Sequence, residues 1–150
     1  MRAVLQRVKR ASVSVAGNTI AEIGQGLCVL LGVHREDTSV DAKYLAEKIA
    51  HLRIFSDQNG KFNLSIKDVG GKVLLVSQFT LLANCSRGRR PDFLEAAPPE
   101  NAQELYTQVA DLLEKDGVEV SKGVFQAHMV VSLENDGPVT VILDSKEKKR

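Results

Sequence analysis

Ser132–Leu143 reads SLENDGPVTVIL, polar and turn-forming in its middle and strand-like at both ends. How Asn135-Asp136-Gly137 is read determines how the chain finishes. Asp-Gly and Asn-x-Gly supply the positive φ that tight turns need, so the plain expectation is a hairpin between strands at 129–134 and 138–143. Pro138 disturbs it. A proline there forfeits a backbone donor where the second strand should begin pairing, and it restricts Gly137 as well. Gly-Pro is either a strand edge or a rigid piece of backbone offered to something else.

Working outward, Pro98-Pro99 opens a helix whose apolar stripe is Ala102, Leu105, Tyr106, Val109 and Leu113, with Gly117 as its stop. A strand follows near 118–121. Lys72–Leu82, KVLLVSQFTLL, is the longest strand candidate. By alternation Ser77 and Phe79 face one way, Gln78 and Thr80 the other. An earlier helix over 38–53 carries Val40, Tyr44, Leu45, Ile49 and Leu52 on one face, with Thr38 and Asp41 as a capping box. Asp57–Gly60 is a turn. Leu27–Val33 is apolar throughout, as suits a strand buried on both faces. Met1–Val8 and Ser12–Val15 alternate, and Ala16-Gly17-Asn18 turns the chain into Thr19–Ile23. Two helices against about seven strands predict one α/β (α+β) domain over 1–150, built on a curved, mostly antiparallel, barrel-like sheet. Residues 146–150 read as a frayed basic tail.

Net charge is +1, so attraction for nucleic acid must come from a local patch. No Trp, two Tyr and five Phe argue against a base-stacking platform of several aromatics. The apolar runs are too short to span a bilayer, and the amino terminus lacks the apolar block of a signal peptide. Two cysteines, Cys28 and Cys85, make no disulfide framework and point to a reducing cytoplasm. His34, His51 and His128 show no paired spacing, and no glycine loop completes a phosphate motif, so neither metal nor cofactor is expected.

Two features call for more. Arg87, Arg89 and Arg90 put three guanidinium forks in one loop, fitted to RNA phosphates unless Asp92 or Glu95 neutralises them. Ser77, Gln78 and Thr80 interrupt an apolar strand, and buried polar groups need partners. They form a structural network or a site.

Ser77–Leu81, SQFTL, together with Asn135–Thr140, NDGPVT, resembles the motif pair of the D-aminoacyl-tRNA deacylases. The similarity extends to MRAVLQRV at 1–8, LAEKIAHLRIF at 45–55, GRRP at 88–91 and AAPP at 96–99. His128 departs from the acidic residue frequent in that family, and Cys85-Ser86-Arg87 from its Thr-Arg-Lys type. The resemblance implies hydrolysis of the ester joining a D-amino acid to tRNA, with mischarged glycyl-tRNA as a further substrate and L-aminoacyl-tRNA spared. It implies a homodimer with active sites at the interface and a cis Gly137-Pro138 that enters the partner's pocket. Ser77, Gln78, Phe79 and Thr80 would then serve the reaction, and Gly137, Pro138, Val139 and Thr140 the choice of hand. Arg7, Met129 and Asn135 would support them, and Arg87, Arg89 and Arg90 would bind tRNA. The attacking oxygen is left open between water, the tRNA 2′-hydroxyl and Thr80. Two rivals remain: a non-catalytic nucleic-acid-binding protein on the same fold, and a sister branch clearing L-alanine, against which the SQFT motif argues.

Overall fold

The computed structural model describes residues 1–149, with side chains as far as residue 147. The opening alternation belongs to one long strand, β1 (Arg2–Val15), with Ala3, Leu5, Ala11 and Val13 buried. One of its edges is met in turn by β2 (Asn18–Ile23) and β3 (Gly26–Gly32), both antiparallel. The chain then leaves the sheet through α1 (Ser39–His51), a small hairpin of β4 (Phe55–Ser56) and β5 (Phe62–Leu64), and the single turn α2 (Ile66–Val69). It returns as β6 (Lys72–Ser77), parallel to β3, and crosses through α3 (Pro99–Lys115) to β7 (Val120–Lys122), parallel to β6. The last strand, β8 (Val130–Asp144), runs antiparallel along the other edge of β1. The expected α/β domain with a curved, barrel-like sheet and two main helices is the architecture observed.

Both faces of the sheet are covered. Val73 and Leu75 of β6 join Leu5, Leu27 and Leu31 beneath Leu45, Ile49, Val109 and Leu113 of the helices. Leu74 and Val76 join Val8, Ala11, Val13, Ile23 and Cys28 on the opposite side, where the sheet folds over itself. Unbroken apolar runs in β3 and β6 follow directly. Thr38 and Asp41 form the expected capping box, and Pro99 opens α3 above the buried Leu105, Tyr106, Val109 and Leu113. In α1 the stripe differs. Ala42, Ala46 and Ala50 are buried beside Leu45 and Ile49, while Val40 is 59% exposed. Small side chains on that face let α1 pack close to α3, and so alanines take places in the stripe where larger apolar residues are expected.

Two corrections bear on function. The run 72–82 is not one strand. β6 stops at Ser77, Gln78 makes a last backbone bond to the Leu31 carbonyl (2.8 Å), and Phe79–Leu82 wind into a 3-10 turn. Gly32 makes this possible. A Cβ there would stand 2.5 Å from Leu82 Cδ2 and 2.8 Å from the Gln78 oxygen. Leu82 folds inward, which mimics a strand pattern, and the supposed alternation past Ser77 does not exist. Phe79 and Thr80 are exposed rather than buried in a core strand.

Nor is 132–143 a hairpin. β8 is continuous, and its register against β1 steps from Thr140 opposite Gln6 to Asn135 opposite Val8. Arg7 alone therefore faces Asp136, Gly137, Pro138 and Val139, which loop out of the ladder as a wide bulge. The positive φ is needed for this excursion and not for a chain reversal.

Ser145–Lys149 make a final 3-10 turn, pinned where the Ser145 amide donates to the Met1 carbonyl (2.9 Å). The tail expected at 146–150 falls partly on the side chains of 148 and 149 and on residue 150, outside the described residues.

Candidate active site

The end of β6 opens into a pocket of about 650 Å³. Ser77, Gln78 and Phe79 form one side, and Phe93, Ala96 and Ala97 another. The start of α3 (Pro99, Ala102) and the loop from Phe125 to Met129 complete it. Its walls are mostly apolar, and His128, on the exposed rim, is the only ionisable residue lining it among the described residues. Three of the five phenylalanines converge here. Phe79 and Phe93 meet edge to face, ring centres 5.0 Å apart, and Phe79 leaves 55% of its surface exposed. Composition had argued against a cluster of aromatics; it is blind to where the chain places the few it has.

Thr80 lies just beyond this lining. Its hydroxyl accepts a hydrogen bond from the Gln78 side-chain amide, and no histidine or carboxylate reaches it among the described residues. The backbone N–H groups of Phe79 and Thr80, first in their turn, have no partner among the described residues, as the start of a helical turn requires. Two free backbone donors thus stand at the edge of the pocket, beside a hydroxyl that has no base.

From Phe93 the wall continues into the basic loop. Asn84 and Asp92 exchange two backbone hydrogen bonds (2.8 and 3.0 Å), closing a neck from which residues 85–91 project. Arg87, Arg89 and Arg90 are exposed and, among the described residues, unpaired with any carboxylate. Neither Asp92 nor Glu95 neutralises them.

The second motif is elsewhere. Gly137 and Pro138 are exposed at the crest of the β8 bulge, joined by a cis bond, and line no part of the pocket in their own chain. Asn135 fixes the base of the bulge: its side chain accepts from the Val139 amide (2.7 Å) and donates to the Val139 carbonyl and the Thr140 hydroxyl. Arg7, 9% exposed, donates from Nε to the Asp136 carbonyl (2.9 Å). Met129, grouped with Arg7 by the resemblance, stands on the pocket wall just before β8 begins.

Among the pocket residues missed in the sequence are Phe93, Phe125 and Gln126. Gln126 has φ +65°, a region that costs a non-glycine residue energy, and it turns the chain into the pocket wall. Only the rarity of phenylalanine hinted at the other two. Among the described residues no three of His, Cys, Asp and Glu are grouped to hold a metal, and no helix is long and apolar enough to cross a membrane. Burial pushes the Cys28 thiol up to about 11, which disarms it as a nucleophile at neutral pH.

A barrel-like α/β domain with SQFT at a pocket and NDGPVT on a projecting bulge belongs to a defined class. The D-Tyr-tRNA(Tyr) deacylase family matches residues 4–144, and the chain belongs to it; it is a hydrolase of ester bonds. A D-aminoacyl-tRNA deacylase of Desulforudis audaxviator is 58% identical over 147 residues, 98% of this chain and 99% of its own. The enzyme of that name from Thermus aquaticus is 57% identical over 148 residues, 99% of this chain and 97% of its own. A solved structure called c-Myc DNA Unwinding Element Binding Protein superposes with TM-score 0.90 at 43% identity, covering 96% of this chain and 98% of its own. A probable eukaryotic D-amino acid tRNA deacylase shares the fold at TM-score 0.81 and 16% identity, covering 95% and 97%.

Proposed function

We propose that the protein is a D-aminoacyl-tRNA deacylase whose active site is shared by two copies of the chain. One copy supplies the pocket beside Ser77, Gln78 and Phe79, and the other inserts Gly137-Pro138. The observation that carries this reading is the separation of the motifs: a pocket lined by one of them, and an exposed crest, formed by the other, that lines no part of it.

The division of labour follows from the chemistry. Main-chain groups at Gly137 and Pro138 can fix the substrate ammonium and leave no room for an L side chain. Because backbone recognition ignores side-chain identity, one site serves many D-amino acids, and glycine, with nothing to clash, passes too. The exposed Phe79 face takes the terminal adenine by stacking, and the arginine loop rooted beside Phe93 takes phosphates. The free amides of Phe79 and Thr80 receive, on this reading, the oxyanion that forms when the ester carbonyl is attacked. The attacking oxygen is that of water or of the tRNA itself, since a threonine without a base is a poor nucleophile. Val139 and Thr140 hold the crest through Asn135. Charged tRNA is met in the cytoplasm, and two free cysteines suit that compartment.

Thr80→Ala is therefore expected to keep turnover within about ten-fold of the parent, whereas loss of a covalent nucleophile costs on the order of 10⁴-fold or more. Single-turnover hydrolysis by folded T80A measures it, and a loss of the larger size returns Thr80 to the nucleophile's role.

The unpaired arginine loop and the DNA-binding name of one structural neighbour favour a second reading, a non-catalytic nucleic-acid-binding protein. Matched D- and L-tyrosyl-tRNA separate the two. The deacylase reading expects release of D-tyrosine and sparing of the L form. Binding that weakens steeply with salt, ignores chirality and gives no turnover selects the alternative.

A further inference from the structure

Arg7 is the one residue of β1 that faces the whole bulge, and its guanidinium is held from two sides. Nε donates to the Asp136 carbonyl on the crest side at 2.9 Å, and Nη1 donates to the Ile54 carbonyl at 2.8 Å. Ile54 immediately precedes the small β4–β5 hairpin, which lies outside the main sheet. From the far strand of that hairpin the Phe62 ring lies against the guanidinium, 5.4 Å from Cζ to ring centre. The Asp136 carboxylate, at 4.0 Å from Nε, is too distant to fix the group by itself. Phe62 is 55% exposed and does not belong to either core. Its contact with Arg7 places it, and burial does not.

We propose that Phe62 is a positioning residue for chiral selection, acting through Arg7 on the Gly137-Pro138 crest. The inference rests on the deacylase reading. A guanidinium bonded to two carbonyls can still swing about the line joining them; an aromatic face opposes that swing, because the cation is drawn to the ring. With the swing arrested, Nη2 stays 3.1 Å from where a Gly137 Cβ would be, and the crest presents one surface to its target. Without the ring, Arg7 turns, the Asp136 bond loosens, and the crest admits the wrong hand. The bland alternative is that Phe62 is one of the apolar residues any surface carries. On that reading its removal changes nothing in selectivity.

The test uses the full-length protein with Phe62→Leu, which keeps bulk and loses the ring, and Phe62→Tyr, which keeps the ring. Rates on matched D- and L-tyrosyl-tRNA are compared with melting temperature. F62L is expected to lower the D-to-L rate ratio about ten-fold, through faster L hydrolysis and with kcat on the D form little changed, and F62Y to restore the parent ratio. An unchanged ratio in F62L overturns the proposal. So does an equal fall in both rates accompanying a lower melting temperature, which is the signature of a purely structural role. Failure of the parent protein to separate the two hands refutes the deacylase reading instead, a different outcome read in the same assay.

Discussion

Gly137→Val is expected to remove nearly all turnover of D-aminoacyl-tRNA from a protein that still folds. Gly137 has φ +140°, a region closed to side chains bearing a Cβ. The added carbon would stand 2.8 Å from Val139 Cγ2 and 3.1 Å from both the Val139 nitrogen and Arg7 Nη2. The crest must move, and a reacting geometry displaced by about 1 Å loses on the order of 10²-fold in rate. The lesion is at the exposed crest of the bulge; Gly137 and Pro138 belong to neither core, although Val139 beside them packs against one. Forcing a non-glycine residue into such a conformation costs about 1–3 kcal/mol, which lowers the melting temperature of a chain this size by roughly 3–10 °C. Kinetics and thermal melting on one preparation check both halves. Retention of parental turnover would show that the crest does not touch substrate.

The arginine loop carries the second large effect. Replacing Arg87, Arg89 and Arg90 together by alanine removes three exposed guanidinium groups that have no carboxylate partner among the described residues. Nothing in the fold depends on them, so the melting temperature should not change. If each meets one phosphate, the slope of log affinity against log salt falls by about 2–3, and KM for charged tRNA rises about 10- to 100-fold at low salt. Because the loop projects beyond the Asn84–Asp92 neck, kcat at saturation should stay near parental. A filter-binding salt titration reads the slope. An unchanged slope assigns the phosphate contacts to another surface.

What was legible in the sequence and what was not divides along physical lines. Thr38 with Asp41 and Pro98-Pro99 are local signals with local causes, and both helices begin where those residues place them. The apolar run of β3 reads correctly because burial on both faces leaves no ambiguity of period. The bulge was illegible for a different reason. Asn135-Asp136-Gly137 offers the same backbone freedom to a hairpin turn and to an excursion within one strand, and the register across β1 decides between them. A similar confusion ended β6 too late: Leu81 and Leu82 continue the apolar pattern, while the feature that bends the chain, Gly32, lies on the neighbouring strand. The two motifs were visible as residues. Their separation in space was not, because one-dimensional order says nothing about which face of a domain a bulge crests.

That separation can be tested by mixing two inactive chains. Gly137→Val damages the crest, and Gln78→Trp fills the pocket mouth that the half-buried Gln78 lines. Each homodimer then carries a lesion in both of its sites. Refolded together in equal amounts with free exchange, a two-fold dimer gives about half heterodimers, each with one doubly damaged site and one intact site. About a quarter of parental D-aminoacyl-tRNA turnover is expected to return. If Gly137-Pro138 instead served the pocket of its own chain, every site would keep one lesion, and a verified heterodimer without activity would contradict the shared site.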